Sequence, residues 1–162
     1  MTAAVNKIPK GYHTVTPALT VRNAAEAIAF YKEALGAEER VRMSTPDGKI
    51  SHAELKIGDS IIFLGDEIPN LGNKSPQTLG GSSGSLFLYV EDVDKFYQRA
   101  VNAGAKSTMP PTDMFWGDRY GTFVDPYGQS WGVATRVEDL SAEETRERAQ
   151  DFYAQMAQKK SA

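Results

Sequence analysis

The stretch LTVRN at residues 19–23 returns in altered form as LYVED at residues 88–92. Each copy is followed by a run of apolar residues at helical spacing and then by Gly-Ala, at residues 36–37 and 104–105. The copies start 69 residues apart (19 to 88) and end 68 apart (36 to 104), so one short deletion aligns them. A repeat of this kind predicts two modules of one fold.

Local sequence patterns predict the same order of elements in each module. Asn23 and Glu26 have the spacing of a capping box, which predicts a helix over residues 24–35 that begins with the Asn23 side chain as its cap. Asp92 is predicted to cap a second helix over residues 93–103. Predicted strands follow over residues 40–44, 51–57 and 60–64 in the first half, and over 121–124 and 130–135 in the second.

Two further segments complete the predicted domain organisation. The composition GGSSG of residues 80–84 predicts a flexible linker; a phosphate-binding glycine loop is the alternative, but no Gly-Lys-Ser/Thr follows. Ser141 and Glu144 form another capping box, which predicts a helix over residues 142 to about 158. The sequence thus predicts a domain over residues 1–136, with modules at about 12–68 and 85–136, and a helical extension over 137–162. The helix of the extension has an apolar stripe, which is predicted to pack on the body or on a second subunit and consists of Ala149, Phe152, Tyr153 and Met156.

Composition excludes several classes of function. The chain has 162 residues, a formal net charge of −3 and no cysteine. A nucleic-acid-binding protein usually carries a basic excess, and disulfides or thiolate metal sites need cysteine, so neither is expected. The longest apolar runs are far shorter than the ~20 residues of a membrane helix. Residues 1–7 lack the apolar core of a secretory signal, so we expect a cytoplasmic protein with neither nucleic-acid nor membrane partners.

The two halves resemble the modules of the vicinal oxygen chelate superfamily, which contains glyoxalases, extradiol dioxygenases, fosfomycin-resistance enzymes and bleomycin-binding proteins. The segments at residues 116–131, 52–55 and 137–144 are similar to its PhnB-like branch. The resemblance covers roughly residues 12–136. It implies an α+β fold in which two tandem βαβββ modules form a cupped mixed sheet around a ligand, and it implies a homodimer.

Metal-dependent members of the superfamily place one ligand on the first strand and one on the last strand of each module. In this chain the resemblance assigns those positions to Thr16, Ser85 and Gly132, and to Ile62 or Phe63 depending on the alignment. None of these side chains supplies the imidazole or carboxylate that such a metal needs. The resemblance therefore implies that the metal site is lost and that no cofactor is expected, a divalent metal being required only if other residues have replaced the ligands.

The residues that could still perform chemistry are few. His52, Glu54 and Lys56 lie on the same face of a predicted strand, because side chains alternate along it. His52 is therefore the candidate catalytic base or hydrogen-bonding group, and a purely structural histidine is the alternative. Arg119 could clamp a carboxylate or phosphate, or it could pair with Asp118 and other charges to fix its loop. Aromatic residues along the strands could line a pocket or fill the core. The candidate ligand-binding residues are Phe63, Trp116, Asp118, Arg119, Tyr120, Phe123 and Trp131.

Three functions remain after these exclusions. The first is a metal-free module that holds a small aromatic or amphipathic molecule in the cup, as the bleomycin-binding relatives do. The second is an enzyme: a lyase, isomerase or dioxygenase with displaced metal ligands, or a metal-free isomerase that uses His52. The third is a protein–protein module that uses the stripe on the C-terminal helix. The loss of the metal positions together with the retained aromatic residues favours the first.

Overall fold

The structure is a computed structural model and describes residues 6–68 and 72–160, so the interpretation of the first five residues lies outside it. Its first half contains β1 (Ala18–Val21), α1 (Ala24–Leu35), β2 (Glu38–Ser44), β3 (Ile50–Ile57), β4 (Ser60–Asp66) and the short helix α2 (Pro76–Leu79). Its second half contains β5 (Ser85–Tyr89), α3 (Val93–Asn102), β6 (Lys106–Asp113), β7 (Asp118–Val124), β8 (Ser130–Arg136) and α4 (Ala142–Lys160).

The strands form two four-stranded mixed sheets with the same topology, β1-β4-β3-β2 and β5-β8-β7-β6. In each sheet the first strand of the module runs parallel to the last, and the other neighbours are antiparallel. This arrangement confirms the predicted α+β fold of two βαβββ modules with a C-terminal helix. Among the described residues, no helix combines the length and apolarity needed to cross a membrane.

One face of each sheet packs on the helices. Leu55, Ile62 and Leu64 of the first sheet and Trp131 and Val133 of the second belong to one buried cluster with residues of α1 and α3. The two helices also contact each other, so this cluster joins the modules. Because side chains alternate along a strand, the intervening residues lie on the opposite side of each sheet, which we call the outer face. In the predicted cup the outer faces line the ligand site.

A buried carboxylate fastens the two modules together. Asp125 lies in the β7–β8 turn and accepts hydrogen bonds from the Tyr31 hydroxyl of α1 at 2.6 Å and from Trp131 Nε1 at 2.9 Å. Its other oxygen accepts the backbone N–H groups of Tyr127 and Gln129, each at 2.9 Å. Burial and the neighbouring Asp125 charge raise the pKa of Tyr31 well above its usual value. Asp125 therefore accepts the N–H groups of its own turn and also binds a side chain of the other module.

The predicted cap of α1 is wrong. Asn23 adopts a left-handed conformation (φ 61°), and among the described residues its side chain caps nothing. The first helical N–H, that of Ala24, instead donates to the Asp66 carboxylate at 2.8 Å. The equivalent N–H of Val93 in α3 donates to Thr135 Oγ1 at 2.9 Å. A residue at the end of each module's last strand therefore binds the start of its helix. Asp92 caps α3 as predicted, because its carboxylate accepts the Lys95 N–H at 3.0 Å.

The local sequence patterns do not locate two of the observed elements. Strand β6 contains Pro110 and Pro111, which weaken a strand pattern but are tolerated on an edge strand. Helix α2 has only four residues and is capped by Ser75, which accepts from the Thr78 N–H. Residues 80–84 follow it and lead into β5, as expected for a connection between the modules. The box of Ser141 and Glu144 at the start of α4 is confirmed, with the Ser141 N–H donating to Glu144 at 2.8 Å.

Candidate functional site

The outer face of the second module is built around a stacked pair of rings. Phe87 of β5 and Tyr120 of β7 lie nearly parallel, with ring centroids 5.3 Å apart and 11° between their planes. Both rings lie against Gly132 of β8: an added Cβ there would come within 2.9 Å of Tyr120 and 3.0 Å of Phe87. Because Phe87 keeps 45% of its surface exposed, the pair presents an aromatic surface to solvent.

Asp118 organises the edge of this aromatic surface. Its buried carboxylate accepts hydrogen bonds from the Tyr89 hydroxyl at 3.0 Å and from Trp116 Nε1 at 3.1 Å. The bond to Asp118 raises the pKa of Tyr89. The Trp116 ring lies 5.8 Å from that of Tyr120, so the carboxylate orients two rings that flank the stacked pair. This arrangement suits a planar or apolar ligand, because aromatic rings supply large contact areas with a defined geometry.

The outer face of the first module is different, since it combines one apolar ring with ionisable groups. The His52 ring packs edge-on against Phe63 of β4 with 4.9 Å between centroids, and its Nε2 lies 3.4 Å from the Glu54 carboxylate. Tyr12, in the segment before β1, also contacts Phe63 and donates a hydrogen bond to Glu54. This hydrogen bond is the main cause of the lowered pKa of Glu54, against which partial burial acts; it also raises the pKa of Tyr12.

Three cavities lie next to these faces. One of about 470 Å³ is bounded by Tyr12, Glu54 and Phe63, and one of about 310 Å³ by His52, Phe63 and Thr20. The largest, about 1260 Å³, is an open groove between the modules whose walls include β5, with Phe87 and Tyr89, and residues of the β3–β4 turn. Its volume exceeds the ~300–1,000 Å³ of most ligand sites.

The residues at the expected metal positions do not fit a metal. Because Ala18 pairs with Phe63 as Phe87 pairs with Gly132, the sheet register identifies Phe63 as the equivalent of Gly132. Ile62, the other alignment, is buried on the helix side. Ser85 is an exposed hydroxyl, and the space above Gly132 holds two aromatic rings. Nor do residues 6–68 and 72–160 contain three or more His, Asp or Glu side chains placed to hold a metal ion together.

The candidate ligand-binding residues fall into three groups. Phe63, Trp116 and Tyr120 lie on the outer faces, and Asp118 lies beneath two of the rings. Phe123 and Trp131 belong to the buried core, which agrees with the alternative that aromatic residues along the strands fill the core. Arg119 makes a two-point ion pair with Asp94 at 2.7 and 2.8 Å and a third contact with Asp113 at 3.1 Å, so its guanidinium is already engaged.

Sequence reasoning did not select Phe87, Tyr89 or Tyr12, which the structure places on the outer faces. For Phe87 and Tyr89 the alternation SLFLY in β5 carried the signal, because Leu86 and Leu88 pack on the core and the aromatic residues between them face outward. For Tyr12 the sequence carries no such signal, since the residue precedes the first strand and reaches Glu54 through a tertiary contact.

Comparisons with known proteins agree with this architecture. The family profile described as the Glyoxalase/Bleomycin resistance protein/Dioxygenase superfamily matches residues 12–133. An uncharacterised protein of Mycobacterium tuberculosis is 41% identical over 146 residues, which cover 88% of this chain and 84% of that protein. The crystal structure of protein PA1353 from Pseudomonas aeruginosa is 26% identical with a TM-score of 0.63, covering 78% of this chain and 99% of that one. The PhnB protein of Bacillus cereus shares the fold (TM-score 0.59, 18% identity, 76% and 99% coverage).

Proposed function

Because this chain belongs to the glyoxalase/bleomycin resistance protein/dioxygenase superfamily, and its expected metal positions carry no suitable donors, we propose that it binds a small aromatic or amphipathic molecule without a metal. The outer faces of the two modules supply the site. Ligand contact is made by the stacked pair Phe87 and Tyr120, with Trp116 beside it, and by Phe63 on the first module.

The observation that carries this proposal is the close packing over Gly132. In a metal-dependent relative a ligating side chain would leave the last strand at this point. Here the strand has no side chain, and Phe87 and Tyr120 lie where a side chain would begin. Where a metal-dependent relative would coordinate the oxygen atoms of its ligand, this chain offers the surface of two rings. Such a surface gains binding energy by removing apolar groups from water.

The homodimer implied by the resemblance is part of this proposal. The outer faces of one chain lie on separate sheets, and Phe87 and Tyr89 are well exposed. A twofold axis that sets the first module of one copy against the second module of its partner would close two equivalent cups. Sedimentation at micromolar concentration tests this arrangement: a dimer is expected, and a monomer with full ligand affinity would contradict it. The cytoplasmic location also remains a prediction from the sequence.

The binding proposal is tested with the fluorescent dye anilinonaphthalenesulfonate (ANS), which is aromatic and amphipathic, on chelator-treated protein. We expect saturable binding and a loss of about tenfold or more in affinity for Tyr120→Ala, because the substitution removes a whole ring from the platform. Leu79→Ala is the matched control, since Leu79 is an exposed apolar residue on α2. Equal affinities for the two variants, or no saturable binding by the wild-type protein, would contradict the proposal.

The contact between His52 and Glu54 supports a second candidate, a metal-free isomerase in which His52 moves a proton on the bound molecule. The carboxylate would orient the imidazole, and Tyr12 would hold the carboxylate. Turnover of the methylglyoxal–glutathione adduct by chelator-treated protein, abolished by His52→Gln, would favour this candidate. We expect no turnover under the binding proposal. His52→Gln should then leave the ANS affinity within about fivefold of wild type, since one hydrogen bond at a half-exposed position contributes about 1 kcal/mol.

A further inference from the structure

The aromatic surface of the second module continues beyond the sheet onto the C-terminal helix. From the stacked pair, ring contacts pass from Tyr120 to Trp116 (5.8 Å between centroids), from Trp116 to Phe115 (4.9 Å) and from Phe115 to Phe152 of α4 (5.1 Å). Tyr153 contacts both Phe115 and Phe152. We call this series the aromatic strip; its members are Phe87, Tyr120, Trp116, Phe115, Phe152 and Tyr153.

Every ring of the strip keeps solvent-accessible surface. Trp116, Phe115 and Tyr120 are half-buried, and Tyr153 is 61% exposed. The short segment between β6 and β7 joins the two ends of the strip, because Trp116 faces the sheet while its neighbour Phe115 faces α4. At the other end, Phe87 lines the groove between the modules. The strip therefore runs continuously from that groove to α4.

Helix α4 lies outside the residues that the family profile matches. It is attached to the body near its start, where Arg148 forms an ion pair with Glu138 at 2.7 Å, and through the contacts of Phe152 and Tyr153 with Phe115. Two large aromatic side chains thus lie beside the ligand surface on an element outside the residues that the profile matches. Their position calls for an explanation other than the core packing of the modules.

We propose that Phe152 and Tyr153 form the distal half of the ligand site, so that the natural ligand is an elongated molecule with two aromatic or apolar groups. This inference rests on the proposed function and specifies the class of ligand. One group of the ligand stacks on Phe87 and Tyr120, and the other packs on α4. The half-buried rings of Trp116 and Phe115 line the path between them.

The apolar surface on α4 is too small to form an interface with a second copy of the chain by itself, and the dimer proposed above uses the outer faces of the sheets instead. A stable interface buries about 800 Å² on each partner and involves 20–30 residues. The large apolar side chains that α4 exposes are Phe152, Tyr153 and Met156, and all three keep only part of their surface accessible. An aromatic side chain buries at most ~250 Å², so this patch matches one ring system of a ligand better than a protein partner.

The test compares ANS with its covalent dimer bis-ANS, which carries two aromatic units of the same chemistry. We expect the wild-type protein to bind bis-ANS about tenfold or more tightly than ANS, at one dye per site. The double variant Phe152→Ala, Tyr153→Ala should lose about tenfold in bis-ANS affinity and retain the wild-type affinity for ANS. Gln155→Ala, an exposed polar position on the same helix, should change neither affinity. Alanine favours the helix in each variant, so α4 is retained.

Each result decides between the two proposals. If the double variant binds bis-ANS as the wild-type protein does while Tyr120→Ala loses ANS, α4 is not part of the site and only this inference fails. If the wild-type protein binds neither dye, the proposed function fails and this inference fails with it. If the double variant changes the sedimentation coefficient from dimer to monomer, the stripe on α4 belongs to a second copy, which also overturns the inference.

Discussion

The two modules share one framework but differ in their outer faces. Each has the same strand order, and each uses the end of its last strand to bind the first N–H of its helix, through Asp66 in one and Thr135 in the other. On the outer faces, the equivalent positions Phe63 and Gly132 have different surroundings. Three ionisable side chains lie near Phe63, those of Tyr12, Glu54 and His52, whereas stacked aromatic rings cover Gly132. A hydrogen bond from the start of the helix to the last strand thus occurs in both modules, whereas the outer faces differ.

The largest effect is expected where the modules meet. Asp125→Ala removes the acceptor of the Tyr31 hydroxyl and of Trp131 Nε1, and both donors would remain buried without a partner. We expect the free energy of unfolding to fall by about 4 kcal/mol. Urea denaturation measures the change. Asp139→Ala, which removes a surface ion pair with Arg136, is the control and should cost under about 0.5 kcal/mol. Similar values for the two variants would show that the modules do not depend on this carboxylate.

A smaller loss of stability is expected at Gly132, the position that most distinguishes the second module from the first. Gly132→Ala would place a Cβ within 3.0 Å of both stacked rings, so the pair must separate. We expect about 2 kcal/mol of destabilisation, typical of overpacking, together with weaker ANS binding. Gly84→Ala is the matched control, since its Cβ would meet nothing within 4 Å. Denaturation and dye titration of both variants give the answer, and an unchanged ANS affinity for Gly132→Ala would refute the role of the stacked pair.

Acid should affect the first module before the second. Glu67 accepts hydrogen bonds from Ser75 and Thr78, and these bonds lower its pKa from 4.5 to about 2. The ionised carboxylate therefore contributes stability above pH 4.5, and the contribution is lost as the pH falls from 4.5 towards 2. We expect Glu67→Gln to be less stable than wild type at pH 7 and the difference to shrink by pH 3. The equivalent position in the second module is Arg136, so that module has no carboxylate at this point.

Hydrogen exchange measured at single residues compares the acid stability of the two modules over the same pH range. Between pH 5 and pH 3, amides near α2 should lose protection earlier than those near the end of β8. Simultaneous loss of protection in both modules would mean that the acid transition is governed by groups other than Glu67.

The smallest effects on stability are expected at the residues that precede helices α1 and α3. Asp92→Ala removes a side-chain cap and should cost about 1 kcal/mol. Asn23→Gly should change stability by only a few tenths of a kcal/mol, because this position requires a left-handed backbone that glycine adopts without strain. Thermal unfolding of the two variants measures the difference. A loss at Asn23 as large as that at Asp92 would restore the capping box that the sequence predicts.

The repeat made the fold predictable, because β1 with α1 and β5 with α3 carry strong local patterns. Strand β6 could not be found this way, since its two prolines are acceptable only at a sheet edge and the edge is a property of the tertiary structure. The residue that binds the start of α1 also depends on the tertiary structure, because Asp66 is 42 residues from Ala24 in sequence. In the site, alternation located His52 and Phe63, but the core positions of Phe123 and Trp131 depend on which face meets the helices.

Binding without a metal is tested by a calorimetric titration of chelator-treated protein with Mn²⁺, Ni²⁺, Co²⁺, Fe²⁺ and Zn²⁺, followed by a titration with ANS in the presence and absence of each ion. We expect no stoichiometric binding of any ion below about 100 μM, because the expected positions offer hydroxyl groups, aromatic rings and a glycine instead of imidazole and carboxylate. The ANS affinity should be the same in every case. Tight binding of one ion per site, or ANS binding that requires the ion, would contradict a metal-free site.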